Sequence, residues 1–146
     1  MTIDKSGKWW TGSEPDDLHE YLTALTASAH KIDEFRLSNC ECGSLVFALD
    51  VDQDEGVARR KCEQCKREHF LCDSAEYYEG QRLKRYRCVT CKSRVVNVGV
   101  GYSLYEDKQG VRWLYVGNRC TGCGTLGSMV DWKVAYEPSQ QLLDAA

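Results

Sequence analysis

The sequence lacks the features that mark export, membrane insertion and histidine-based metal catalysis. It contains no run of about eighteen apolar residues, the length that a membrane-spanning helix needs. Its first ten residues include two lysines and two tryptophans and lack the apolar stretch of a signal peptide. Only three histidines and two prolines occur among its 146 residues. We therefore expect a cytoplasmic protein with no membrane segment, in a compartment that keeps thiols reduced.

Cysteine is abundant instead, since the chain has nine and eight of them fall into four close pairs. Four thiolates fill a closed structural zinc site, and reduced cysteine pairs more often hold metal than form disulfides. We predict two bound zinc ions, although a disulfide framework would be the alternative in a secreted chain. The two ligand sets are Cys40, Cys42, Cys62 and Cys65, and Cys88, Cys91, Cys120 and Cys123.

The spacing within the pairs is regular with one exception. Three pairs have two residues between the cysteines, whereas Cys40 and Cys42 are separated only by Glu41. Gly43 follows that pair and permits the unusual backbone that such a short turn needs. The second ligand set is therefore the stronger prediction, and the geometry of the first is the more open question.

One helix and many strands are predicted around these cysteines. Ser13 has the chemistry of an N-cap, and apolar residues then recur at helical period through Leu18, Leu22, Leu25 and Ala29, which predicts a helix over about 14–30. Beyond residue 34 the chain alternates as strands do, with a long hairpin that leads into Cys120. The pair Gly99 and Gly101 lies inside this strand pattern and predicts a bulge.

The two halves of the strand-rich part align on their second cysteine pairs. Cys62 then matches Cys120, Asp73 matches Asp131, and Tyr78-Glu79 matches Tyr136-Glu137. In this alignment the ninth cysteine, Cys72, lies opposite Val130. A lone cysteine is usually a small buried apolar residue, so we predict that Cys72 belongs to the core and is not a ligand.

With these motifs the chain resembles the zinc-ribbon family twice, over residues 40–136. The resemblance implies a three-stranded antiparallel sheet per unit, held at one end by the ion. The overall arrangement is also similar to that of small bacterial tandem-ribbon proteins with no assigned role. We therefore expect a mostly β, metal-stabilised α+β domain. Its parts are an N-terminal segment 1–34, ribbon units 35–80 and 81–137, and a tail 138–146, all in one compact domain.

Charge is unevenly distributed, because residues 1–55 carry twelve acidic and four basic side chains and residues 56–95 carry eleven basic and five acidic ones. Basic residues near the metal sites offset thiolate charge, but they also raise the possibility of phosphate contacts, with tyrosines interleaved for base stacking. The candidate contacts to nucleic acid or to another partner are Arg59, Arg60, Lys61, Arg82, Lys84, Arg85 and Arg87.

Several functions fit these residues, and a structural or interaction role with an unknown protein partner fits best. Catalysis at the metal is disfavoured because four cysteines leave zinc no open position. The adjacent tryptophans Trp9 and Trp10 either cover the core beside the helix or anchor a partner. Nucleic-acid binding through residues 59–94 is one alternative, and a rubredoxin-like iron electron carrier is another, since thiolates alone do not distinguish iron from zinc.

Overall fold

A computed structural model describes residues 3–106, 110–134 and 140–146. The chain is mostly β with one main α-helix, as the sequence predicts. None of the helices in these ranges is long and apolar enough to cross a membrane. In chain order the elements are β1 (Ile3–Asp4), β2 (Thr11–Gly12), α1 (Asp17–Thr26), β3 (Glu34–Leu37), β4 (Phe47–Asp52), β5 (Val57–Cys62), β6 (Glu68–Phe70), α2 (Ser74–Tyr77), β7 (Lys84–Arg85), β8 (Val96–Leu104), β9 (Val111–Cys120), β10 (Leu126–Lys133) and a 3₁₀ helix (Gln140–Asp144).

An antiparallel sheet of eight strands organises the fold, and its main path runs β10-β9-β8-β4-β5-β6. Strands β4, β5 and β6 form one three-stranded meander, and β8, β9 and β10 form the other. The two meanders meet where Phe47 pairs with Val96. These two residues occupy equivalent places in their meanders, because Phe47 also pairs with Cys62 of β5 and Val96 also pairs with Cys120 of β9.

The short strands that precede the first cysteine pair of each set are exchanged between the meanders. Strand β3 pairs with β8, and the Ser38 N–H donates to the Val98 carbonyl at 2.8 Å. Strand β7 pairs with β4, and the Tyr86 N–H donates to the Leu49 carbonyl at 2.7 Å. Each half therefore holds the other in place by hydrogen bonds at corresponding positions. The predicted units 35–80 and 81–137 are thus not separate sheets.

Alternation along β4 and β8 builds a single core between the meanders, because side chains in a strand point to opposite faces in turn. Alternate residues from Val96 to Tyr102 are fully buried and belong to the same apolar cluster as Phe47, Leu49 and Val51. The cluster also includes the inner cysteines of both sets. The apolar interior is therefore continuous across the two halves.

The other face of β8 and β9 is flattened by glycine so that helix α1 can lie on it. A Cβ on Gly99 would come within 2.7 Å of the Phe35 ring, and one on Gly101 within 2.9 Å of Ile32. Leu22 of α1 is fully buried, and its Cδ1 would lie 3.1 Å from a Cβ on Gly117. The predicted bulge at Gly99 and Gly101 is wrong, because the register runs unbroken from Val96 to Ser103.

Helix α1 is shorter than predicted. It begins at Asp17 and not near residue 14, because the preceding segment forms tighter turns in which the Asp17 N–H donates to the Glu14 carbonyl at 3.1 Å. Asp16, and not Ser13, occupies the N-cap, and it makes no side-chain capping bond. The helix ends at Thr26, whose hydroxyl donates to the Leu22 carbonyl and accepts the Ile32 N–H. Leu25, predicted on the packed face, is exposed.

Both ends of the chain pack along the sheet. The Leu126 N–H donates to the Trp10 carbonyl at 2.8 Å, and the Cys72 N–H donates to the Ala145 carbonyl at 2.8 Å. The apolar pair Leu142-Leu143 predicts weak docking of the tail, and Leu142 joins the main core cluster. The sequence also predicts a turn at 107–110 and a loop at 137–141. Residues 107–109 and 137–139 lie outside the described residues, as does the Tyr136-Glu137 match, and Gln140 and Gln141 begin the 3₁₀ helix.

Candidate metal centres

The sheet brings each predicted set of four cysteines together at the end of one meander. In the first set, Cys40 and Cys42 precede β4, Cys62 ends β5, and Cys65 lies in the turn before β6. The second set has the same layout around β8, β9 and β10. Among the described residues these two are the groups whose side chains could hold a metal ion.

The sulfur atoms have the separations that a four-coordinate site requires. Zinc–sulfur bonds of about 2.3 Å in a tetrahedron imply sulfur–sulfur distances of about 3.8 Å. The Sγ atoms of Cys40 and Cys65 lie 3.4 Å apart, and those of Cys42 and Cys62 lie 3.6 Å apart. In the second set the corresponding pairs, Cys88 with Cys123 and Cys91 with Cys120, lie 3.5 and 3.4 Å apart, and all nine cysteines are free thiols. Four thiolates therefore fit one ion in each set.

Three of the four cysteine turns share one backbone design. The first cysteine of each turn accepts a hydrogen bond from the N–H four residues later, and its own N–H donates to the carbonyl five residues later. The residue four positions on has a positive φ, which closes the turn. These residues are Lys66 (φ 65°) after Cys62, Lys92 (φ 68°) after Cys88, and Gly124 (φ 83°) after Cys120.

The fourth turn repeats this design with one residue fewer. The Gly43 N–H donates to the Cys40 carbonyl at 2.8 Å, and the Cys40 N–H donates to the Ser44 carbonyl at 3.0 Å. Gly43 takes the positive φ, at 92°. The single residue between Cys40 and Cys42 therefore shortens the turn, yet the four sulfur atoms of the first set remain together.

Backbone N–H groups stabilise the thiolate form of one cysteine in each set, Cys62 and Cys88. The Cys65 N–H donates to Cys62 Sγ at 3.5 Å, and this bond is the main cause that lowers the pKa of Cys62 to about 6. Burial raises the pKa of Cys88, but the N–H groups of Cys91 and Thr90 outweigh burial and lower it to about 6. Zinc binds thiolate and not thiol, so a lowered pKa prepares Cys62 and Cys88 for a cation.

Burial divides each set into an inner and an outer side. Cys40, Cys62, Cys88 and Cys120 are buried, whereas the remaining four are exposed or half-buried. An ion held by them would lie at the rim of the core and link the apolar interior to the turns. The first set also has an ion pair across its two turns, between Arg67 and Glu41, whose exposed side chains make it a weak contact.

Cys72 lies outside both groups of four cysteines, and its setting differs from the predicted one. It has a positive φ of 57° in the turn after β6, so it is not a strand residue like Val130. Its sulfur lies 3.5 Å from the Tyr102 hydroxyl and 3.7 Å from the Leu142 carbonyl. Burial raises the pKa of the Cys72 thiol to about 12, so it is a poor nucleophile.

The predicted basic contacts do not form one free patch. Arg85 donates to both carboxylate oxygens of Asp50, at 2.8 and 3.0 Å, and Arg59 pairs with Asp50 and Glu68. Arg60 is buried over the Phe47 ring and reaches the Ala146 carbonyl. Lys61 is half-buried, and the exposed side chains without such partners among the described residues are Arg82, Lys84 and Arg87.

The histidines lie apart from the sulfur clusters. His69 contacts the Ala145 carbonyl at 3.1 Å through Nε2, and His19 and His30 stack on Phe35 and Trp113. All three therefore make structural contacts.

Comparisons with models of protein families, with curated proteins and with solved structures find no match to this chain. Its function therefore has to be argued from the two cysteine clusters and from the surface.

Proposed function

We propose that the protein is a cytoplasmic zinc-binding structural protein in which two closed four-cysteine sites hold a surface for a protein partner. The observation that carries this proposal is the placement of eight thiols in two clusters of tetrahedral size, one at the end of each meander. Four cysteines complete the coordination of Zn²⁺, so neither site leaves a position for substrate or water. The role of each ion is then to hold turns together.

Zinc rather than iron is the metal that we assign. Both metals accept four thiolates, and we choose zinc because a closed site of four cysteines is the usual form of structural zinc. The rubredoxin-like alternative makes a different prediction, since an oxidised iron–thiolate site absorbs visible light and a zinc site does not. Colour and elemental content therefore separate the two.

We further propose that the two meanders are copies of one zinc-ribbon unit. Support comes from the shared turn design, from the equal registers at Cys62 and Cys120, and from the exchanged strands that pair at corresponding positions. A duplicated unit explains why Phe47 and Val96, which occupy equivalent places, pair with each other across the junction. Neither copy has a complete sheet without the other.

Binding of a protein partner fits the surface better than binding of a long nucleic acid. Three of the seven predicted basic contacts, Arg59, Arg60 and Arg85, are engaged within the fold, which leaves a short basic stretch and no extended track for phosphates. Large apolar side chains are exposed instead, including Trp9, Leu25 and Val89. Exposed aromatic and aliphatic groups are typical of protein interfaces.

Elemental analysis tests the metal assignment. The protein would be purified without added metal and its zinc and iron measured per chain, with Cys72→Ala as the matched control for loss of a cysteine that is not a ligand. We expect two zinc atoms in the wild type and in the control, and one in Cys88→Ser. Iron at equal stoichiometry, or no metal, would contradict the proposal.

A further inference from the structure

We propose that the groove between helix α1, strand β10 and the segment 84–89 binds an acidic segment of a partner protein that carries an apolar anchor side chain. This inference rests on the proposed interaction role and names the surface and the chemistry of the partner. Its evidence is the position of exposed apolar groups, the sign of the charge around the groove, and a buried amide at its base.

The groove consists of two adjoining depressions. One of about 370 Å³ lies against α1 and is lined by Trp9, Tyr21 and Leu25, and the other, of about 410 Å³, extends to Val89. Trp9, Tyr21 and Leu126 line both, so the two form one continuous trough. Trp9, Leu25 and Val89 expose 48, 48 and 58 % of their surface, although residues of this size usually bury more.

The charge around the groove selects an acidic ligand. Lys84, Arg85 and Arg87 line the wider depression and Lys8 the narrower one, whereas no aspartate or glutamate of the described chain lines either. Arg85 is already paired with Asp50, so Lys84 and Arg87 are the exposed cations available at the rim. Residues 1–55 are strongly acidic, yet their acidic side chains are absent from this lining.

A buried polar group at the base of the groove points to a ligand with an N–H donor. Asn118 is 3 % exposed and lines the wider depression, and its Oδ1 has no hydrogen-bond partner among the described residues. An unpaired buried acceptor is unfavourable unless a ligand satisfies it. Gly127 lies opposite Asn118 on β10, and a Cβ there would come within 3.3 Å of the amide nitrogen, so glycine keeps the approach open.

These features fit a peptide better than a nucleotide chain. The narrower depression is apolar apart from Lys8 and suits an aliphatic or aromatic side chain, while the cationic rim suits carboxylates beside it. A backbone N–H of an extended segment can donate to Asn118. Such interfaces are held chiefly by a few buried anchors and are steered by charge, so both parts of the groove contribute.

Selection from a library of short random peptides displayed on phage tests the inference with zinc-loaded, full-length protein. We expect the enriched peptides to be acidic and to contain a tryptophan, phenylalanine or leucine. The affinity of a synthetic consensus peptide, measured by fluorescence anisotropy, should fall at least about tenfold in Trp9→Ala and in the double variant Lys84→Gln/Arg87→Gln. The control Lys31→Gln/Lys133→Gln removes two exposed positive charges outside the groove and should change affinity by less than about twofold.

Several outcomes would overturn the groove as the site. They are enriched peptides without acidic residues, affinity that is equal in the groove and control variants, displacement of the peptide by a single-stranded oligonucleotide, and self-association of the protein through Trp9. Zinc content and thermal unfolding are measured on the same samples. Protein that holds two zinc atoms, folds normally and selects no acidic peptide would thus overturn the groove while leaving the structural zinc sites intact.

Discussion

At the scale of single residues, unusual backbone conformations lie next to the cysteine clusters and the core. Among the described residues, three other than glycine have positive φ, namely Lys66, Cys72 and Lys92, and two of them close cysteine turns. L-residues adopt this conformation at an energetic disadvantage of about 1–2 kcal/mol, which the surrounding contacts must offset. Substitutions at such positions therefore report on the backbone as well as on the side chain.

Cys72 offers the first test, because its side chain is half-buried against the core and its φ is 57°. Cys72→Ala retains the Cβ and removes only the sulfur, so we expect a loss of about 1 kcal/mol in the free energy of unfolding. Cys72→Val adds a β-branch at positive φ and should lower the free energy of unfolding by at least about 1 kcal/mol more than Cys72→Ala. The apolar character of valine alone would predict equal stability of the two variants. Urea unfolding of the zinc-loaded variants distinguishes these outcomes, and equal stability of the two would contradict the role of the backbone.

Gly124 and Gly43 form a matched pair for the second test. Both have positive φ beside a cluster, but a Cβ on Gly124 would approach the Gly12 carbonyl to 2.6 Å, whereas none would meet an atom within 4 Å at Gly43. We expect Gly43→Ala to lower the free energy of unfolding by about 1 kcal/mol and Gly124→Ala by about 2–3 kcal/mol.

Chemical denaturation of both glycine variants, with zinc content measured in parallel, checks this expectation. Gly124→Ala should also loosen the N-terminal segment, because the Gly12 N–H donates to the Gly124 carbonyl. Faster amide exchange at Gly12 in Gly124→Ala alone would show this directly. Equal losses of stability in the two variants would mean that close contact with the N-terminal segment contributes little.

At the scale of elements, the sequence predicts the ligand sets and the long strands better than the short ones. Hydrophobic alternation predicts β4 and β8 because large apolar residues alternate along them with small or polar ones, although both faces of these strands are buried. Strands β3 and β7 are four and two residues long, too short for a period to show, and their pairing partners lie far away in sequence. The exchange of β3 and β7 between the halves therefore cannot be predicted from the sequence.

The same reason explains two other differences between prediction and structure. Gly99 and Gly101 have the sequence signature of a bulge, yet they are required by the close packing of Phe35 and Ile32, which lie in a different part of the chain. Asn118 carries no motif at all, and its importance follows only from its buried Oδ1, which has no hydrogen-bond partner in the part of the chain that the structure describes. Tertiary contacts, and not local preferences, decide these positions.

Asp50 joins three strands and provides a test at this scale. It lies on β4, is 4 % exposed, and binds Arg59 of β5 and Arg85 of β7. Burial raises the pKa of Asp50, but the hydrogen bonds and charges of Arg85 and then Arg59 outweigh it and hold this pKa below its ordinary value. Such a carboxylate stabilises the fold above its unfolded pKa of about 3.9, and the contribution is lost as pH falls through the folded value.

We expect Asp50→Asn to lower the free energy of unfolding by about 2–3 kcal/mol at neutral pH, because it leaves two arginines without their shared carboxylate. The difference from wild type should stay constant between about pH 6 and 8, well above the pKa of Asp50. Arg85→Gln should lose less, about 1 kcal/mol, since the Arg85 side chain is 47 % exposed and Arg59 still pairs with Asp50. A larger effect of Arg85→Gln would contradict this order.

At the scale of the whole molecule, two cysteine clusters lie at the ends of the meanders and border one shared interior. The inner cysteines of both sets belong to the same apolar cluster, and each half holds an exchanged strand of the other. The sequence predicts two similar units but not that they interlock. Interlocking makes the stability of one site depend on the fold around the other, so the chain should not unfold in two independent halves.

Removal of one metal ligand tests this coupling. Structural zinc contributes on the order of 10 kcal/mol of apparent folding free energy in small domains, so Cys88→Ser should destabilise the second meander severely. Because β7 of that half pairs with β4 and the core is continuous, we expect the loss to reach the first meander as well. Unfolding followed by tryptophan fluorescence and by zinc release should give a single transition in the wild type and in Cys88→Ser, at a much lower denaturant concentration in the variant.

The reciprocal variant Cys62→Ser should behave in the same way, since β3 of the first half pairs with β8 of the second. Amide hydrogen exchange resolves the two possibilities, because independent halves would keep protection in β8 and β9 when only the first site is lost. Protection lost together in Val98, Val116 and Leu49 would show that both ions stabilise one cooperative structure. Retained protection on one side would show that the exchanged strands are too weak to couple the halves, and that each zinc stabilises only the meander that supplies its ligands.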